Sequence, residues 1–252
     1  HWAVRTLTQP GESVMVSAPV YYPFYSAVAN AGERTLVKNN LKKTGTEYAF
    51  DLEAFERDIK DNDVKLYILC NPHNPVGRVW TAEELKAILD LCRKYGVKVI
   101  SDEIHQDIIN PKLGRGKVTA ATVGDYNDML ITMASGSKSF NLAACQNSFI
   151  IIPNEEARNS FNEFLSKMAL DDVNGFGHIA TEAVLTKGQP WLDEVLDTIF
   201  GNYEYLRERF AAECPDVQIS NLEGTYLVWM DFGAFCKSED DVKHLLQTKC
   251  RL

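Results

Sequence analysis

Short apolar runs punctuate this chain and alternate with segments of helical period. Val14-Met15-Val16 follows a Pro10-Gly11 turn, and Leu36-Val37 follows Gly32. Leu66-Tyr67-Ile68-Leu69-Cys70, Val97-Lys98-Val99-Ile100, Met129-Leu130-Ile131-Thr132-Met133 and Phe149-Ile150-Ile151-Ile152 complete the series. None alternates strictly between apolar and polar, which is the pattern of strands buried on both faces. The helical signals between them are local and mechanistic. Thr81-Ala82-Glu83-Glu84 reads as a capping box, in which the threonine hydroxyl takes the Glu84 amide and the glutamate reaches back. Leu85, Ile88, Leu89 and Cys92 follow at three- and four-residue spacing, and Gly96 supplies a left-handed stop. Asn154 opens another helix, with Phe161, Phe164, Leu165 and Met168 on its apolar face.

Strands alternating with such helices predict an α/β fold, a three-layer α/β/α sandwich around a mostly parallel sheet. After Gln189-Pro190 the pattern changes. Leu192, Val195, Leu196, Ile199, Tyr203, Leu206 and Phe210 predict one long helix ending before Pro215. Thr225-Tyr226-Leu227-Val228-Trp229-Met230 then reads as a strand, and Val242, Leu245 and Leu246 as one side of a short amphipathic helix. The expected division is a large domain over 1–200 and part of a small α+β domain over 201–252.

Composition narrows the partners. The 252 residues carry 26 Lys+Arg against 35 Asp+Glu, a formal net charge of −9, with no long basic block. Nucleic acid is a poor fit, because affinity for its backbone comes from basic side chains that displace counterions. No apolar run approaches the roughly 18 residues of a membrane helix, so no membrane role is expected. Cys70, Cys92, Cys145, Cys214, Cys236 and Cys250 form no C-x-x-C pair and no close framework, which points to reduced thiols in a cytoplasmic protein. The chain starts at His1 without a methionine, so the lack of a leader carries no weight.

In parallel α/β sheets, ligands bind outside the carboxyl ends of the strands. Four such ends carry chemistry here. Val16 leads to Ser17-Ala18-Pro19-Val20-Tyr21-Tyr22-Pro23, and Cys70 to Asn71-Pro72-His73-Asn74-Pro75-Val76-Gly77. Ile100 leads to Ser101-Asp102-Glu103-Ile104-His105, and Met133 to Ala134-Ser135-Gly136-Ser137-Lys138-Ser139. Taken singly, each has a commoner structural role: Asn before Pro as a turn residue, Asp after a strand as a helix cap, Lys in a Ser/Gly loop as solvated surface, tyrosines as packing. Together they put an amide, a carboxylate, a lysine and an aromatic ring at one crevice.

These segments resemble the fold-type I, pyridoxal-phosphate-dependent enzymes of the class I/II aminotransferase superfamily. Asn71 through Trp80, Ser101 through His105, Ser137-Lys138-Ser139-Phe140-Asn141-Leu142-Ala143 and Pro19 through Tyr25 are similar to the MalY/PatB branch of cystathionine β-lyases and C–S lyases. The resemblance implies that Lys138 bonds covalently to the cofactor aldehyde, Asp102 sits beside the pyridine nitrogen, and Asn74 bonds the ring oxygen. It further implies that Tyr21 stacks on the ring and that Ser135 and Ser137 belong to the phosphate loop. His105 stands where many aminotransferases have a tyrosine near the ring oxygen, and either makes that bond or serves as a cap or packing residue. Gln146 stands where many carry a phosphate-binding arginine. The family's glycine-containing phosphate turn and its C-terminal carboxylate-binding arginine are not found, so truncation at both ends is expected.

The activity implied is β-elimination from a sulfur amino acid to thiol, pyruvate and ammonia. Transamination is the alternative, since it needs the same base and electron sink, and a third reading is an incompetent fragment that keeps the fold and a dimer surface. A homodimer is implied, with Asp172-Val173-Asn174-Gly175-Phe176-Gly177 either a contact near the neighbouring site or an ordinary loop.

Overall fold

The computed structural model of the protein describes residues 1–30, 33–172 and 174–251. Gly32, Val173 of the expected contact loop, and Leu252 lie outside them. The chain opens with α1 (Trp2–Leu7), β1 (Ser13–Ala18), α2 (Pro23–Val28) and β2 (Thr35–Asn40). A small hairpin, β3 (Lys42–Thr44) and β4 (Glu47–Ala49), precedes α3 (Leu52–Asp61), β5 (Val64–Cys70), α4 (Ala82–Lys94) and β6 (Lys98–Asp102). Then come β7 (Leu130–Ala134), β8 (Phe149–Ile151), α5 (Glu155–Lys167), α6 (Gly175–Lys187) and α7 (Gln189–Glu213). Two short strands, β9 (Gln218–Ile219) and β10 (Met230–Asp231), and α8 (Glu239–His244) follow.

The main sheet has the order β2-β1-β5-β6-β7-β8. All its pairings are parallel except β7 with β8. Successive residues of each central strand feed different cores. Met15, Tyr67, Leu69 and Val99 pack with Phe55 and Ile59 of α3 and Leu85, Ile88, Leu89 and Cys92 of α4. Val14, Val16, Leu66, Ile68 and Ile100 pack with Ala3, Val4 and Leu7 of α1 and Phe161 of α5. Both faces are covered, which is why the runs are apolar without alternating. A third cluster joins Phe200 and Tyr203 of α7 to Ile108, Val217, Ile219 and Leu222.

The capping box of α4 is formed as its sequence dictates. Thr81 Oγ1 accepts from Glu84 N at 3.2 Å, and Glu84 Oε2 accepts from Thr81 N at 2.8 Å. Gly96 closes that helix at φ +69°. Thr81→Ala is expected to lower unfolding stability by about 1 kcal/mol, read by urea titration, since one amide at the helix start loses its acceptor.

The strand expected over Thr225–Met230 is not formed as such. Only Met230 and Asp231 pair, antiparallel, with Ile219 and Gln218. Thr225 has φ +68° and donates its N–H to Ile108 O at 2.8 Å. The strand-forming side chains are there, but the backbone is drawn to the loop after β6 instead of a neighbouring strand.

Candidate active site at the carboxyl edge of the sheet

Register places the chemistry side by side. Cys70 pairs with Asp102 and Asp102 with Met133, so the turns leaving β5, β6 and β7 emerge at one level. β1 and β5 are adjacent although β2 to β4 lie between them in the chain. The chain therefore runs outward to β2 and returns across β1, the kind of switch point at which such sheets bind ligands.

Asp102 ends β6 and is half-buried. Its Oδ1 accepts from Ile104 N at 3.1 Å, and among the described residues no cation pairs with it. Burial pushes its carboxyl up to about 6; the neighbouring Glu103 charge adds to this, while the Ile104 amide, Lys138 and the His1 ammonium pull the other way. Glu103 itself is fully buried and fully occupied. It accepts from Ser101 Oγ and Ala120 N, both at 2.9 Å, and pairs with Lys117. Of two consecutive carboxylates, Glu103 is locked into the structure by three partners, while Asp102 accepts from a single backbone amide.

His105 lies one turn further, 3% exposed, with Nδ1 buried and without a hydrogen-bond partner. Burial, helped by the charge of Lys138, lowers its pKa to about 4, so the imidazole is neutral. Its ring meets Tyr226 edge to face at 5.3 Å. Lys138 sits half-buried in the loop after β7. It lines a cavity of about 300 Å³ together with Ile108, Trp191, Val195, Ile199 and Tyr226. The loop is braced from below: Ser139 Oγ donates to Asp107 Oδ2 at 2.6 Å, and Leu142 N donates to Ser137 O at 2.9 Å.

Ser135 and Ser137 divide their work. Ser135 Oγ donates to Asn147 O at 2.7 Å and accepts from Ser137 N at 3.0 Å, so its proton is committed to the loop. Ser135, Ser137 and Gln146 line a second cleft, of about 910 Å³, with Ile104, Asn147 and Asn174. Asn74 is mostly buried at the end of β5, its N–H directed to Cys70 Sγ at 3.4 Å. The tight return that follows uses Gly77 at φ +78°, where an added Cβ would come 2.8 Å from Leu222 Cδ1. Tyr21, beyond the end of β1, is 40% exposed and touches the rings of Tyr22 and Phe24 at 5.8 and 5.7 Å.

The structure thus brings Asp102, His105 and Lys138 together and sets Ser135 and Ser137 along the adjoining cleft. Asn74 and Tyr21 stand on the same edge, beyond the ends of β5 and β1. His73, one position from Asn74, is a packing residue: buried, 2.9 Å from Pro19 O through Nε2, and edge-on to Trp80. Tyr226, Trp191 and Asp107 escape a sequence reading. Tyr226 was hidden inside an expected strand and Trp191 among core positions of a helix, while Asp107 becomes meaningful only through its bond to Ser139.

Residues 2–250 match the family model of aminotransferase class I and II. The chain belongs to this family. It is 39% identical over 248 residues to cystathionine beta-lyase PatB of Bacillus subtilis, which covers 98% of this chain and 63% of that protein. It is 31% identical over 229 residues to protein MalY of Escherichia coli, covering 90% of this chain and 57% of the other. Among solved structures, cystalysin from Treponema denticola, which contains pyridoxal 5'-phosphate, superposes with a TM-score of 0.95 at 33% identity over 100% of this chain and 63% of its own. The chain therefore spans under two thirds of the length of these relatives. The aminotransferase-family fold and the MalY/PatB branch are those expected from the Asn71–Trp80 and Ser101–His105 segments.

Proposed function

We propose that this chain carries the cofactor-binding core of a pyridoxal-phosphate-dependent C–S lyase, which cleaves the Cβ–S bond of a sulfur amino acid. The carrying observation is Asp102: a largely shielded carboxylate whose pKa burial raises, without an ion pair to any described residue, next to the strand end that bears Lys138. Such a group fits a protonated pyridine nitrogen, the missing cation. The other donors fit as well. His105 Nδ1 is buried without a partner among the described residues, and the Ser135 and Ser137 side of the cleft is the place for a phosphate.

Bound there, pyridoxal phosphate supplies an aldehyde that captures amines and a ring that accepts the electron pair left at the substrate α-carbon. Asp102 would face the ring nitrogen and, ionised, would keep it protonated. Asn74 and His105 would bond the ring oxygen, and Tyr21 would offer an aromatic face to the ring. Ser137 would meet the phosphate, with Ser135 holding the loop in shape. Lys138 Nζ would hold the aldehyde and would serve as the general base at the substrate α-carbon. The Cβ–S pair leaves with sulfur, which becomes the thiol on protonation. Water hydrolyses the remaining enamine to pyruvate and ammonia. The assembly proposed is a homodimer; Phe176 and Ile179, three residues apart on α6, are 85% and 65% exposed, an apolar surface suited to a second copy. Six free cysteines are in keeping with a cytoplasmic, reducing setting.

Cystathionine with added cofactor is expected to yield pyruvate and ammonia in equal amounts, leaving a 2-oxo acid in the same mixture unconsumed. Stoichiometric transfer of the amino group to the oxo acid means transamination instead. A colourless, inert sample means that the chain keeps the fold without the activity.

A further inference from the structure

The segment entering β10 is held to the crevice by a concentration of bonds that the cofactor reading does not use. Glu223 and Gly224 both donate their N–H groups to Gly77 O at 2.9 Å, and Asn110 N donates to Glu223 O at 2.8 Å. The Glu223 carboxylate accepts from Val79 N at 2.9 Å and stands 3.2 Å from Arg78 Nε and 3.5 Å from an Arg115 nitrogen. Arg78 is gripped on its other side by both oxygens of Glu84, at 2.7 and 2.9 Å, and Arg115 donates to Val79 O at 2.7 Å. The side chains of Arg78 and Glu223 are only 15% and 21% exposed, so solvent screens their attraction less than that of a surface pair. Backbone contact is equally close: a Cβ on Gly224 would lie 2.7 Å from Val79 Cγ2 and 3.0 Å from Ile108 O.

Two residues past this clamp is Tyr226. Its ring meets His105 at 5.3 Å and 65°, and it walls the cavity that Lys138 lines. His105 is buried with no partner for Nδ1, so no hydrogen bond from that atom sets the plane of its imidazole. An edge-to-face neighbour does, since such pairs prefer one relative orientation. We propose that Tyr226 is a positioning residue of the site, whose ring keeps the His105 imidazole in one orientation beside Lys138, and that Glu223 is the residue holding Tyr226 in place.

Two readouts test this, and only the second rests on the cofactor reading. In the cofactor-free protein, the ring signals of His105 are followed by NMR, assigned through His105→Gln. Tyr226→Ala is expected to collapse the ring-current shift of those signals, Tyr226→Phe to preserve it, and Glu223→Gln to reduce it partway. In the cofactor-loaded protein, the pH at which the visible band interconverts is expected to rise by about one unit in Tyr226→Ala, the size of one weakened charge-assisted hydrogen bond, and to hold in Tyr226→Phe. Unchanged His105 signals in Tyr226→Ala overturn the proposal, as does a Tyr226→Phe variant that moves as far as the alanine. A Glu223→Gln protein identical to wild type overturns the clamp. A wild-type protein that never develops the band defeats the cofactor reading, and the NMR result then decides alone.

Discussion

Lys138→Ala is expected to end turnover, with kcat falling by about 10³-fold or more, because the substitution removes both the amine that anchors the aldehyde and the general base, itself worth about 10²–10⁴-fold. It is also expected to abolish the adduct that borohydride fixes to the protein in the presence of pyridoxal phosphate, with peptide mapping of wild type placing that adduct on residue 138. The fold is expected to survive. Lys138 is half-buried and makes no ion pair or side-chain hydrogen bond with any described residue, while the loop beneath it is held by Ser135, Ser137, Ser139 and Asp107. Its unfolding free energy without cofactor should stay within the range of a surface substitution, about ±0.5 kcal/mol. Full turnover in the alanine variant, or an adduct mapped elsewhere, removes the basis of the lyase proposal.

That residue was legible in the sequence for a physical reason that applies across the core of the fold. A strand buried on both faces must be apolar at every position, and its carboxyl end must then turn, so polar residues after such runs mark the sheet's edge. Asp102, Asn74 and Lys138 stand out in this way, and register later sets their strands side by side. The α4 helix was legible down to its caps because a capping box and a left-handed glycine are local interactions. What the sequence hides is long-range. Thr225 through Trp229 have the side chains of a strand, yet the backbone at Thr225 is claimed by Ile108, more than a hundred residues earlier. The same contact carries Tyr226 to His105. Nothing in the local pattern distinguishes Glu103 from Asp102 either. Only Lys117 and the Ala120 amide, arriving from the following loop, decide which carboxylate is spent on structure.

Asp102→Asn is expected to move stability and activity in opposite directions, which separates its chemical role from packing. In the folded, cofactor-free protein burial raises the Asp102 carboxyl from 3.8 to about 6. Between those values the folded chain binds more protons than the unfolded one, so stability is lost as pH rises through the window and stays lost above it. The shift corresponds to at most about 3 kcal/mol, reduced by the solvent contact that Asp102 retains. An isosteric carboxamide carries no charge to desolvate. The variant should therefore melt higher than wild type at pH 8, with the difference shrinking toward zero near pH 4. Pyridoxal phosphate should reverse the order at pH 8, because only the carboxylate pairs with a protonated ring nitrogen. Turnover should fall by about 10²–10³-fold, the usual loss when one preorganised electrostatic group is removed. An equal melting difference at pH 4 and pH 8 would show that charge burial is not its source, and undiminished turnover would take Asp102 out of the site.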